Sequence, residues 1–236
     1  MKIHPRFLVI PALVAGLSAA SAADITGTVT LNGTPPEEKI IDMSAIADCS
    51  KQHPEPVKTQ FYVVGANNGL KDVVVCLKNV SKSTGDSAAP LVLDQKGCEY
   101  IPYIAAVQTG QKIVIKNSDP VFHNVDVIPT QDGNKPANKA QAPGAPDITI
   151  SFPKEENFLR FKCDVHPWMF AYVTVVDNPY FAVTDKDGKY TIKDVPPGKY
   201  TIAAAHRKAN GNKPVEKEIE VKPDGTVVDF TIDLPK

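Results

Sequence analysis

Apolar and polar residues alternate with a period of two through most of this chain, and the apolar runs are short, which is the signature of half-buried strands. Residues 25–31 put Ile25, Val29 and Leu31 on one face, and Asn32-Gly33 closes that strand with turn chemistry. Runs 61–64 and 71–78 read as two further strands joined by 65–69, and a loop of small residues follows at 81–89. Runs 100–108 and 112–116 predict a hairpin-like pair around Gly110-Gln111. Strand patterns return at 122–128, 148–152, 159–163 and 170–176. In 159–163 the alternation points Cys163 inward with Leu159 and Phe161. The polar Pro/Ala/Asn stretch 130–146 reads as an irregular excursion; a disordered linker is the rival, and the strand patterns on both sides oppose it. The last third predicts a hairpin of 180–184 with 189–192 around Asp185-Lys186-Asp187-Gly188. A turn at Val195-Pro196-Pro197-Gly198 leads into 199–205, and 215–221 with 226–234 form a closing pair. Helix is expected only as one short piece at 43–47. The pattern therefore predicts an all-β chain in two sandwich-like units.

Composition agrees. A chain of 236 residues holds one or two domains with a real core. Its 21 prolines, scattered between apolar runs, favour tight turns over long helices. The first residues change the picture. Lys2 and Arg6 precede an apolar run at 7–20, and Ala20-Ser21-Ala22 is a small-residue cleavage site. This predicts a signal peptide over 1–22, cleaved near Ala22, and a periplasmic or secreted protein. A membrane anchor is the alternative, but the run is short for a span. No later stretch suits stable membrane insertion. Without Lys2 and Arg6, 24 basic residues face 27 acidic ones, a net charge of −3. Nothing in that balance suggests nucleic acid.

The chemistry concentrates in Cys163-Asp164-Val165-His166-Pro167-Trp168-Met169. Cys163, His166 and Met169 stand at equal steps of three, and His123 lies upstream beside Asn124. Two imidazoles, a thiolate and a weak thioether are the ligand set of a type 1 (blue) copper site, which suits both Cu(I) and Cu(II). Steps of three also fit one helical face, but Pro167 and the flanking strands oppose a helix. Zinc asks for more Cys, His or carboxylate and has no need of Met. Haem attachment needs Cys-x-x-Cys-His, and a binuclear copper centre needs two loop cysteines; both are absent. Of the other cysteines, Cys76 sits in an apolar strand as a small hydrophobe. Cys49 and Cys98 occupy polar, turn-like surroundings, so a Cys49–Cys98 disulfide is the simplest outcome in an oxidising compartment, although spacing alone does not fix connectivity.

Residues 91–177 resemble a cupredoxin, most of all amicyanin. The resemblance rests on the strand 111–116, the Asn117…His123-Asn124 arrangement, the alternating strand into Cys163 and the contracted Cys-x-x-His-Pro-x-Met loop. It implies a Greek-key β-sandwich with His123, Cys163 and His166 as equatorial ligands and Met169 as the axial one. It also implies a backbone N–H from Asn124 to the cysteine sulfur. The flanks resemble a carboxypeptidase-regulatory-like, transthyretin-like β-sandwich. Gly27-Thr28-Val29 with Gly33-Thr34-Pro35 match its opening; Thr184-Asp185-Lys186-Asp187-Gly188-Lys189-Tyr190 and Pro196-Pro197-Gly198-Lys199-Tyr200 match its ending. The expected layout is a split sandwich of 23–90 and 179–236 around a copper domain at 91–178; two domains in tandem is the competitor. Such fused copper proteins, sometimes termed methylamine-utilisation-like, are exported in bacteria.

The expected function is single-electron transfer on one copper ion, with no catalytic residues. A redox protein would dock where His166, Pro120, Pro167 and Trp168 form an apolar patch; Trp168 as plain core is the alternative. Copper delivery without electron transfer, and a structural or glycan-binding sandwich, are the rival functions; a nitrite reductase would need a second His-rich site. His53 reads as a surface residue near the disulfide, and His206 as structural. Asp185-Lys186-Asp187-Gly188 imitates a calcium loop, but Lys189 stands where an oxygen ligand belongs, so it reads as a turn.

Overall fold

The structure is a computed structural model that describes residues 22–235. The expected leader therefore lies outside the described residues except for Ala22. Two β-sandwiches are built from strands that are far apart in sequence. In the first, Ala23–Asn32 pairs antiparallel with Lys189–Val195 and parallel with Thr226–Val227 and Phe230–Asp233. The facing sheet runs Phe181–Val183, Val74–Lys78, Gly198–Ala205, Val215–Val221. Ile25, Val29, Leu31, Leu77, Ile202 and Phe230 fill the space between.

The second sandwich holds the residues of the expected copper loop. One sheet runs Glu99–Ile101, Leu91–Lys96, Ile113–Asn117, Ile148–Ile150. The other runs Ile104–Gln108, Phe170–Val176, Glu156–Lys162, His123–Val127, Ala137–Gln141. Leu93, Ile113, Ile115, Val127, Phe161 and Val173 form its core. Phe161 is fully buried, which is worth roughly 2–3 kcal/mol in transfer free energy alone. Val74–Lys78 is covered on both faces. Val75 and Leu77 enter the first core, whereas Val74 meets Ile104 and Phe158, and Cys76 meets Val176 and Ala203. That two-sided burial explains the unbroken Val-Val-Val-Cys-Leu run.

Several expectations need correction. Run 61–64 is not a strand; it is tied by the single bridge between Val64 and Leu70. Ile104–Gln108 and Ile113–Asn117 do not form a hairpin, because the turn between them carries the chain from one sheet to the other. The same holds at Asp185-Lys186-Asp187-Gly188, whose flanking strands pair with Val74–Lys78 and Ala23–Asn32 respectively. It holds again at Pro223-Asp224-Gly225. The stretch 130–146 contains the strand Ala137–Gln141, and its entry is pinned by buried Glu156, which accepts from the Thr130 and Gln131 N–H groups and from Asn134. The short helix occupies Ala47–Ser50 rather than 43–47. No helix among the described residues is long and apolar enough to cross a membrane.

Candidate metal centre

Three neighbouring strands deliver the candidate ligands to one end of the second sandwich. His123 opens His123–Val127, Cys163 follows Glu156–Lys162, and Met169 precedes Phe170–Val176. The pairs Phe161–Val127 and Phe161–Ala171 hold these strands in register, so the ligands converge although forty residues separate His123 from Cys163. The alternation that buries Leu159 and Phe161 buries Cys163 as well. The loop then closes on itself: Met169 N–H donates to His166 O at 2.9 Å, and Cys163 N–H donates to Met169 O at 3.1 Å.

His123 Nδ1 and His166 Nδ1 lie 3.1 Å apart, and Cys163 Sγ stands 3.4 Å from His166 Nδ1 and 3.9 Å from His123 Nδ1. A trigonal first-row ion with bonds of about 2.0 Å to nitrogen and 2.3 Å to sulfur asks for donor spacings of roughly 3.5–3.8 Å. The observed edges of 3.1, 3.4 and 3.9 Å come within about 0.4 Å of that range, and all three side chains are buried. Met169, 1% exposed, closes the same loop. The Asn124 N–H points at the sulfur at 3.5 Å. Its side chain also ties down the loop start, accepting from Asp164 N–H at 2.7 Å and donating to the Asp164 carboxylate at 2.8 Å. Cys163, His123, His166 and Met169 fit copper by donor type, and the first three come close to it in spacing.

The electrostatics ease ionisation of Cys163 and keep His166 neutral, while His123 is drawn toward its charged form. Burial opposes ionisation of Cys163, but the His123 hydrogen bond and the N–H groups of Asn124, Val165 and His166 outweigh it and hold the thiol below its ordinary value. Burial, aided by the nearby His123, pushes His166 down to about 4, so its lone pair is free at neutral pH. Burial pulls His123 the same way, but its bond to Asp119 prevails and leaves it raised.

Asp119 is the residue that the pattern reading missed. Its carboxylate meets His123 Nε2 at 2.9 Å and accepts from Gly97 N–H at 2.6 Å and Cys98 N–H at 2.7 Å. Gly97 and Cys98 both take positive φ, 66° and 54°, which turns their N–H groups toward it. With Asp119 accepting from Nε2–H, a neutral His123 turns an unprotonated Nδ1 toward Cys163 and His166. The sequence signal was the Asn117-Ser118-Asp119 turn four residues before the histidine. Asn117 locks that turn, donating to Val121 O and Gln141 O and accepting from Asp119 N–H.

Cys49 and Cys98 are joined as a disulfide, and both sulfurs lie within 4.8 Å of a His166 ring nitrogen. The disulfide pins residues 40–58 as a cap over the metal end, with Met43, Ile46 and Val57 packed around it. The expectation that His166 reaches the surface through an apolar patch is thereby corrected: the residue is 2% exposed, beneath the cap. Trp168 is half-buried between core and cap, and donates its indole N–H to Cys98 O at 3.1 Å. Phe122 and Val165, each 45% exposed, and Pro120 and Pro167 form the outer rim. His53 is not free at the surface; its ring bonds Gly97 O at 2.6 Å and helps hold the cap. His206 is buried in the other sandwich, stacked on Tyr62.

Residues 166–235 match the carboxypeptidase regulatory-like domain family, a match that begins inside the metal loop. No curated protein matches the chain. Among solved structures, the chain is similar to a copper-containing nitrite reductase from Thermus scotoductus SA-01, at 20% identity over 38% of this chain, with a TM-score of 0.34; it spans only 23% of that enzyme. It is similar to a point mutant of amicyanin in its Cu(I) form, at 17% identity over 43% of this chain and 97% of amicyanin, with a TM-score of 0.33. It is also similar to a purple cupredoxin from Nitrosopumilus maritimus, at 22% identity over 37% of this chain and 98% of that one, with a TM-score of 0.30.

Proposed function

We propose that this protein is an exported carrier of single electrons in which His123, Cys163, His166 and Met169 would hold one type 1 copper ion. The observation that carries this reading is the buried triangle of two imidazole Nδ1 atoms and one cysteine sulfur, with a backbone N–H aimed at that sulfur. Bound there, copper supplies a one-electron couple whose two states tolerate the same ligands. The protein's part is positional. Asp119 fixes the His123 tautomer, Asn124 stabilises the thiolate, and the cap excludes water from His166. An electron carrier needs no second site for substrate, and the reading assigns this chain no catalytic residue.

The strand pairings support the split layout, in which 23–90 and 179–236 form the regulatory-like sandwich around a copper unit at 91–178. The cap is the part of 23–90 that leaves the first sandwich and packs on the second. A redox partner then docks on the rim of Pro120, Phe122, Val165 and Pro167, close to His166 but not on its ring. Burial of His166 counts against a copper-delivery role, which needs ligands that exchange readily. The test is copper loading of the full-length protein followed by optical and EPR spectra. An intense band near ~600 nm from a Cu(II)–thiolate bond is expected. A colourless protein with an ordinary Cu(II) EPR signal overturns the reading.

A further inference from the structure

A cavity of about 220 Å³ opens beside the metal loop, where the cap, the metal-bearing sandwich and the turn after Gly198–Ala205 meet. Junctions of this kind are where ligand sites are commonly built. The volume is below the roughly 300–1,000 Å³ of drug-sized sites and suits one substituted ring. Its walls are flat: Phe61, Tyr103, Trp168, Phe170 and Tyr172 line it. Its charge is one-sided. Lys58, Arg207 and Lys208 face a single carboxyl, that of Glu99.

Arg207 and Lys208 have spare capacity. Neither meets a carboxylate at ion-pairing distance among the described residues. The Arg207 guanidinium lies 4.1 Å from the Tyr172 ring centroid and donates once, to Tyr103 Oη at 3.0 Å. Lys208 Nζ sits 4.5 Å from the Phe61 ring centroid. The aromatic faces thus hold both cations in place without neutralising them, and most of their N–H donors remain open. We propose that this cavity binds a small aromatic anion of the benzoate class, with its ring against the aromatic walls and its carboxylate on Arg207 and Lys208. An aliphatic anion would forgo the ring contacts, and a neutral ring would leave the cations unanswered. Met169 and Trp168 are part of the wall, so the occupant lies against the metal loop. The inference stands whether or not the metal site holds copper.

Trp168 is the chain's single tryptophan, so its emission reports occupancy directly. The metal-free full-length protein is titrated with 4-hydroxybenzoate, with the neutral 4-hydroxybenzyl alcohol and with acetate, and calorimetry provides an independent isotherm. A saturable response to 4-hydroxybenzoate is expected, about tenfold or more tighter than to either control, as charge-assisted hydrogen bonds imply. Arg207→Gln and Lys208→Gln should each erase that preference and leave the alcohol's affinity unchanged. Arg207 also packs on Tyr172; if its variant fails to fold, Lys208→Gln decides. No saturable response, equal affinity for all three probes, or an unaltered preference in the folded variants would overturn the site.

Discussion

Replacing Asp119 with Asn tests whether the metal end is held by this carboxylate. Asp119 is 4% exposed and takes three donors: His123 Nε2–H and the N–H groups of Gly97 and Cys98. An ionised carboxylate has room for all three. An Asn side chain offers one acceptor oxygen, and its NH2 would face an N–H donor in a buried site. Hydrogen bonds to a charged group contribute about 1.5–3 kcal/mol each, and a stranded buried donor costs about 1–3 kcal/mol. Asp119→Asn should therefore destabilise the metal-free protein by about 2–4 kcal/mol, read from urea unfolding under oxidising conditions. Metal affinity should fall by about 10–100-fold in a chelator competition, because His123 loses the partner that fixes its tautomer. The pH dependence has a definite sign. Burial would raise the Asp119 pKa, but the His123 bond and the Cys98 and Gly97 N–H groups hold it below its ordinary 3.8. Its stabilising contribution is therefore present above 3.8 and is lost as pH falls through the lower folded value. Asp119→Asn should remove that acid-sensitive step. A variant with stability within about 0.5 kcal/mol of the parent and undiminished affinity would refute the reasoning.

Three further outcomes follow from other parts of the molecule. The Cys49–Cys98 bridge spans a sequence separation of 49, so Cys49→Ser with Cys98→Ser should cost about 4 kcal/mol by loop-closure entropy, measured by denaturant unfolding; a loss below about 1 kcal/mol would contradict it. His206 is pushed down to about 4 by burial and the Arg207 charge, and its Nδ1 accepts from Ala209 N–H at 3.0 Å, which protonation would abolish. The unfolded chain then takes up its proton first, near the ordinary 6.5, so stability should fall as pH drops from 6.5 toward 4. His206→Asn should reduce the slope in that window by about one proton, up to roughly 3 kcal/mol in all; an unchanged slope argues against a neutral buried His206. Gly188 has φ +75, and an added Cβ would lie 2.3 Å from Val29 O and 2.7 Å from Leu70 N. Gly188→Ala should cost about 3 kcal/mol or more in thermal unfolding, and a neutral result would show that this backbone crossing is loose.

What the sequence revealed and what it hid divide along physical lines. Strand identity was readable wherever one face is buried and the other wet, as in 159–163, because the period of two is written directly into side-chain polarity. Pairing was not. The segments on either side of Gly110-Gln111, of Asp185-Lys186-Asp187-Gly188 and of Pro223-Asp224-Gly225 read as hairpins, yet each turn carries the chain across a sandwich to the facing sheet. Polarity alternates identically in both arrangements, so only long-range packing separates them. The strand Ala137–Gln141 was invisible because it is an edge with an exposed middle and little apolar content. The candidate ligands were legible because soft donors at fixed spacing within a chain expected to be exported have few other uses. Asp119 was not, since an aspartate in an Asn-Ser-Asp turn looks like ordinary turn chemistry until the turn at Gly97 and Cys98 is folded against it.

The cap joins these parts. Cys98 is linked to His123 through Asp119 and to the metal loop through the Trp168 indole, while Cys49 anchors residues 40–58 over His166. One turn therefore braces both histidines from outside the sandwich core. That bracing needs no metal, because each bond in it runs between protein groups, and so it presets the donor triangle close to the spacing that a trigonal first-row ion asks for. It also has a cost for electron exchange on the proposed reading. With the imidazole of His166 under the cap, a partner reaches the rim of Phe122, Val165 and Pro167 and not the ring, so the electron crosses at least one additional layer of protein. Removing the bridge should then act in opposite directions on the two properties, lowering stability while bringing His166 nearer to solvent. A disulfide-free variant that lost stability but showed no faster exchange with a small soluble redox dye would place the exit at the rim, independent of the cap.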